Sequence, residues 1–135
     1  MRTRPLIVLG SLAVALAVPA CLRGVRPDAE VEREEPGARV LGEGVASYYA
    51  ASLHGRPTAS GEPYDRAGFT AAHRSLRLGT CLTVVNLENG RKARVRVNDR
   101  GPFAKERVLD LSEAAAEQLG LIGPGVARVR LLGCR

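Results

Sequence analysis

Residues 80–103 read Thr-Cys-Leu-Thr-Val-Val-Asn-Leu-Glu-Asn-Gly-Arg-Lys-Ala-Arg-Val-Arg-Val-Asn-Asp-Arg-Gly-Pro-Phe, and this stretch decides the fold. Thr80 to Leu87 carries β-branched residues on both faces. Glu88-Asn89-Gly90-Arg91 holds the Asn-Gly pair that favours a hairpin turn, and Ala93-Arg94-Val95-Arg96-Val97 alternates with the period of a half-exposed strand. The spacing predicts two antiparallel strands joined by a tight turn. The second strand runs into Asn98-Asp99-Arg100-Gly101-Pro102-Phe103, where charge at a strand-to-turn junction lines a mouth and not a core. By parity Asp99 falls in step with Ala93, Val95 and Val97, which aims its carboxyl toward the protected face just where the sheet ends. A half-desolvated carboxyl suits acid catalysis on sugars.

Outward from this hairpin the signals stay mostly β. Gly44 to Tyr49 and Val108 to Asp110 read as short strands, and Val126 to Leu132 as a half-exposed one in which Ala127, Val129 and Leu131 alternate with Arg128 and Arg130. One helix is expected among them over Ser112 to Gly120: Ser112 is an N-cap residue, Glu113 favours the positive helix start, and Gly120 is a stop. Many short strands with long loops predict a small closed barrel.

The first residues have a different character. Met1-Arg-Thr-Arg-Pro precedes an apolar run from Leu6 to Val18, too short to span a bilayer, followed by Pro19-Ala20-Cys21. This is the pattern of an export signal over 1–20. Val18-Pro19-Ala20-Cys21 resembles a bacterial lipobox, although Pro19 departs from it, so Cys21 is expected to become the lipidated first residue, anchoring the protein to a membrane. Leu22 in place of Asp favours the outer membrane over the inner. Residues 21–41, with Glu30, Glu32, Glu34 and Glu35 close together, read as a flexible tether, and the domain as 42–135.

Charge follows the same division. Without Arg2 and Arg4, 18 Lys and Arg against 14 Asp and Glu leave +4. Residues 22–41 carry four Arg against five acids, whereas 42–135 carry fourteen basic residues against nine acids. A basic exported domain suits an anionic envelope polymer or membrane surface, and export removes nucleic acid from the expected partners. Setting Cys21 aside leaves Cys81 and Cys134, for which a disulfide and two separate buried thiols both remain open. No Cys-x-x-Cys or paired-histidine spacing supports a metal site, and no cofactor is implied.

A second dense motif is His54-Gly-Arg-Pro-Thr-Ala-Ser-Gly-Glu-Pro-Tyr-Asp65, a loop stiffened by two prolines around ionisable side chains. Glu62, Asp65 and, further on, His73 make a plausible polar site. The five aromatics, Tyr48, Tyr49, Tyr64, Phe69 and Phe103, all lie in or near these motifs. Rings stack on sugars, but the two Phe read as core residues, while a Tyr can do both.

Four ordered blocks, Ala46 to Tyr49, His54 to Asp65, Thr70 to His73 and Val95 to Phe103, followed by Asp110-Leu111-Ser112, resemble the rare lipoprotein A (RlpA-like) family of exported bacterial lipoproteins. Departures at Ala50, Ser60 and Arg77 touch none of the acids. The resemblance implies a six-stranded double-psi β-barrel with one or two short helices. It also implies endolytic lytic transglycosylation of peptidoglycan glycan strands, with preference for strands lacking stem peptides. The positions matching the catalytic acids are Asp99 and Glu62. Asp99 is taken as general acid/base with Glu62 as its partner, and the opposite assignment stays open. His73, Asp65, Asn98, Arg100, Tyr64 and Arg56 are the supporting or substrate-binding positions. Arg100 can alternatively pair with Asp99 and hold it ionised. The rivals are an expansin-like glycan-binding module without catalysis and a glycoside hydrolase.

Overall fold

In the computed structural model the described residues are Gly10 and 37–135. The expected signal, the lipidated Cys21 and the tether as far as residue 36 lie outside them. The elements are β1 (Val40–Tyr48), a turn of 3-10 helix (Ala51–Leu53), β2 (Thr70–Ala72), β3 (Cys81–Asn86), β4 (Lys92–Asp99), β5 (Arg107–Leu111), α1 (Glu113–Leu119) and β6 (Ala127–Gly133). The strands close into a barrel in the order β1-β5-β2-β4-β3-β6. Pairs β1/β5 and β2/β4 are parallel and the other four antiparallel. The mainly β, six-stranded expectation is therefore met, with β1 starting two residues before Gly42.

Alternation fills the barrel. Leu82 and Val84 of β3, Ala93, Val95 and Val97 of β4, Leu109 and Leu111 of β5, and Val129 and Leu131 of β6 meet inside with Ala46 and Ala71. Each buried Leu contributes roughly 1.5–3 kcal/mol relative to exposure. Ala115, Ala116 and Leu119 of α1, with Leu121, join this cluster. The helix begins as its residues dictate, with Ser112 Oγ accepting the Ala115 N–H, and ends where Gly120 turns left-handed at φ 75°.

The hairpin of β3 and β4 forms as expected, but its turn is longer than an Asn-Gly pair. Val85 pairs with Lys92, the Asn86 N–H donates to Arg91 O, and the Gly90 N–H donates back to Asn86 O, which leaves four residues, Leu87–Gly90, in the loop. Gly90 has φ 76°, whereas no non-glycine residue described has positive φ, so the two-residue turn that needs it at both positions is excluded. The asparagines have another task. Asn86 Nδ2 and Asn89 Nδ2 each donate to Leu119 O at 2.9 Å, satisfying a carbonyl at the end of α1.

Two features escape period-two reading. Thr70–Ala72 is a strand of three residues in the middle of the barrel, too short to alternate legibly. In the β2/β4 ladder Ala71 pairs with Val97 but Ala72 pairs with Asp99, so Asn98 is an extra residue in β4. This bulge reverses parity beyond Val97. Asp99 therefore lies on the face opposite Val97, with Ala72, and not on the apolar face that simple alternation assigns to it.

Cys81, at the start of β3, and Cys134, just past β6, are joined in a disulfide with Cα atoms 5.5 Å apart.

Candidate active site

The bulge delivers Asp99 into a cleft of about 370 Å³ outside the barrel wall. Tyr49, Arg56, Thr58, Tyr64, Arg100, Phe103, Arg107 and Asp110 share its lining. Three donors orient the Asp99 carboxylate. Tyr49 Oη donates to Oδ2 at 2.6 Å, and the backbone N–H groups of Ala59 and Arg100 donate to Oδ1 at 2.9 and 2.8 Å. Burial, followed by the Asp99 carboxylate, pushes the Tyr49 phenol far above its ordinary 10.0, so it stays protonated and donates. The Tyr49 ring meets Tyr64 edge-on at 4.7 Å between centroids. Tyr64 is 2% exposed, and its hydroxyl accepts the Glu113 N–H, which ties the site to α1.

Glu62 sits apart from this cleft lining. Its carboxylate takes both ends of the Arg96 guanidinium, at 2.5 and 3.2 Å, and the Asn98 amide at 2.9 Å. Those partners, Arg96 first, hold it below its ordinary 4.5. Glu62 is thus an ionised anchor for the loop of residues 54–65, which also packs on β4 through the Ser60 N–H to Asn98 O. Asn98, 1% exposed, points to Glu62, while its Oδ1 has no partner. The two acids that sequence reasoning pairs have different partners: Arg96 and Asn98 for Glu62, Tyr49 and two backbone N–H groups for Asp99.

Arg100 does not neutralise Asp99 with its side chain. Its guanidinium donates to His73 O at 3.2 Å and Leu76 O at 2.6 Å. Arg74 reaches the other way, donating to the carbonyls of Pro102, Ala104 and Arg107. The two loops beside the cleft are therefore interlocked by guanidinium-to-carbonyl bonds, five in all. His73 serves the same purpose: its Nδ1 accepts the N–H groups of Ser75 and Leu76, and burial, aided by Arg100 and Arg74, pushes it below 6.5. It is a neutral loop cap. Asp65 accepts the Ala67 N–H in a local turn and is exposed. Arg56 is an exposed cation of the lining.

Both Phe depart from the core reading. Phe69 is 44% and Phe103 86% exposed, because interior space is already filled by aliphatic strands. Phe103 instead stands at the cleft wall on the loop that Arg74 holds. Ser47 and Asp110 fall within the blocks that carry the family resemblance, but neither they nor Arg107 are among the site residues expected from the sequence. The available signal was the spacing of Ser47 and Tyr49, two residues apart in the sequence at the end of β1.

Glu62→Gln is expected to lower stability slightly at neutral pH and not at acid pH. The folded-state pKa of Glu62 is depressed, so its contribution is fully present above the unfolded value near 4.5 and lost as pH falls through the lower folded value. Exposure and salt keep the effect small. Melting curves of both proteins from pH 7 to 3 should begin to approach each other below about pH 4.5 and close further as pH falls through the lower folded value. A gap that is constant across this range would assign the anchoring to something other than the ion pair.

The comparisons with known proteins agree with this architecture. The family model described as lytic transglycolase matches residues 42–131. The endolytic peptidoglycan transglycosylase RlpA of Pasteurella multocida is 48% identical over 111 residues, 82% of this chain and 37% of that one. The chain spans about a third of the length of the curated relatives it matches. Among solved structures, the Streptomyces papain inhibitor is 25% identical with TM-score 0.56, covering 71% of this chain and 97% of its own. An expansin of Clavibacter michiganensis shares the fold at 24% identity and TM-score 0.55, over 69% of this chain and 50% of its own.

Proposed function

The chain belongs to the lytic transglycolase family, and from that premise we propose that it cleaves peptidoglycan glycan strands from within, leaving 1,6-anhydro-muramic ends and preferring strands without stem peptides. The observation that carries this reading is Asp99, a carboxylate fixed by three donors in an open cleft. In such a reaction the C1–O4 bond breaks, the muramic O6 attacks C1, and the O6 proton finally resides on O4. No water is consumed, and positive charge develops at the anomeric carbon. A fixed anion beside that carbon stabilises the transition state more than the ground state.

The remaining lining fits a sugar chain. Phe103 offers an exposed ring face for stacking, and Arg56, Arg100 and Arg107 supply cationic edges for an acidic glycan. Glu62 contributes by holding the loop whose Ala59 N–H orients Asp99. The proposal includes export and lipid anchoring through Cys21 at the outer membrane. The Cys81–Cys134 disulfide supports the oxidising compartment that this requires.

The test is to incubate the purified protein with peptide-free glycan strands and weigh the products. Release of anhydro ends is the expected result. Reducing ends would identify a hydrolase. Binding without cleavage over a wide pH range would leave an expansin-like module.

A further inference from the structure

Arg56, Arg100 and Arg107 bring three guanidiniums to the cleft, and two of them are already committed. Arg100 donates to the carbonyls of His73 and Leu76. Arg107 donates to Ser47 Oγ at 2.9 Å and lies 3.8 Å from Asp110 Oδ1. The Arg56 side chain is exposed and makes no hydrogen bond or ion pair with a described residue.

Its backbone is nonetheless fixed. The Arg56 N–H donates to Leu53 O at 3.0 Å, and Arg56 O accepts the Tyr64 N–H at 2.7 Å. Tyr64 packs edge-on against Tyr49, whose hydroxyl holds Asp99. Three residues further along the same loop, the Ala59 N–H donates to Asp99 Oδ1. The root of Arg56 is thus tied to the surroundings of Asp99 while its guanidinium stays available, so meeting a ligand orders one side chain and no loop.

Charge says which ligand group needs it. The cleft holds two carboxylates, Asp99 and Asp110. Arg107 offsets Asp110, whereas no guanidinium among the described residues pairs with Asp99. An anion entering here is repelled unless a cation meets it. Each muramic residue of a peptide-free strand carries one such anion, the free carboxylate of its lactyl ether on O3. A stem peptide converts that same carboxyl to a neutral amide.

We propose that Arg56 reads the lactyl carboxylate and thereby sets the preference for strands without stem peptides, a role that deepens the transglycosylase reading above and rests on it. A guanidinium fork can donate two parallel N–H···O bonds to a carboxylate, whereas an amide offers it one oxygen and no charge. Discrimination then begins with charge at one position, apart from any clash with the peptide.

The experiment separates charge from bulk. Peptide-free strands are compared with the same strands after their lactyl carboxylates have been converted to neutral methylamides. Wild type should favour the acid strands by about tenfold in binding and in kcat/KM, and Arg56→Gln should shrink that ratio to about twofold or less. Arg56→Lys, which keeps the charge and loses the fork, should hold a ratio of about threefold. Melting curves of both variants should superimpose on that of the wild type, because the side chain has no partner to lose. A wild-type ratio near one, or a ratio that Arg56→Gln leaves unchanged, overturns the assignment, and anhydro product from the wild type would still keep the function. Arg56-dependent binding of acid strands with no anhydro product sinks the transglycosylase reading and keeps the recognition.

Discussion

Asp99→Asn leaves the protein folded and lowers glycan cleavage by about 10³-fold or more. The fold survives because the amide is nearly the same shape and its surroundings can adapt. The Ala59 and Arg100 N–H groups, both bound to Oδ1, find an amide oxygen there. Tyr49, which donates to Oδ2, can rotate its hydroxyl to accept from the new NH₂. What is lost is the negative charge, and only that. If the charge matters chiefly at the transition state, kcat falls while the affinity for glycan stays near wild type. Measured turnover of peptide-free strands, with binding of the same strands and a melting curve as controls, decides the matter. Residual activity within tenfold of wild type would remove Asp99 from the reacting centre, whatever the product chemistry turns out to be.

The barrel was legible in the sequence wherever one face of a strand is buried and the other wet. The run from Ala93 to Val97 and that from Ala127 to Leu131 declare themselves by alternation, and the cap residues Ser112 and Gly120 mark α1 at both ends. The site was half legible. Asp99 stood out as a charge at the end of a strand, yet its direction depends on one inserted residue, Asn98, that no periodicity reveals. Glu62 stood out as an acid on a stiff loop, but its partner Arg96 is an ordinary exposed position of an alternating strand, indistinguishable in sequence from Arg94. Asp110 looked like the end of a short apolar strand. Only the pairing of three strands around Ala72 brings it beside Asp99, and such pairing is a property of barrel closure and not of any local segment.

The same closure gives the disulfide a large share of the stability. Breaking it, by Cys81→Ser with Cys134→Ser or by reduction, is expected to cost about 4 kcal/mol, because the bridge spans 53 residues and the cost of closing that loop in the unfolded chain returns. For a domain of this size each kcal/mol is about 4–8 °C, so Tm should fall by roughly 15–30 °C. Against a total of about 5–15 kcal/mol for small domains, that is a large share. The native ladder gives little compensation at this spot: the Cys134 N–H donates to Cys81 O at 3.4 Å, a long bond at the frayed end of the β3/β6 pair. Cys81 also lies opposite Arg96, the residue that holds Glu62. Loosening should therefore reach the 54–65 loop before the core yields. Calorimetry of oxidised and reduced protein, with hydrogen exchange at residues 58–62, checks both parts. A Tm drop below about 5 °C would mean that the strand ladder and core close the barrel without the bridge.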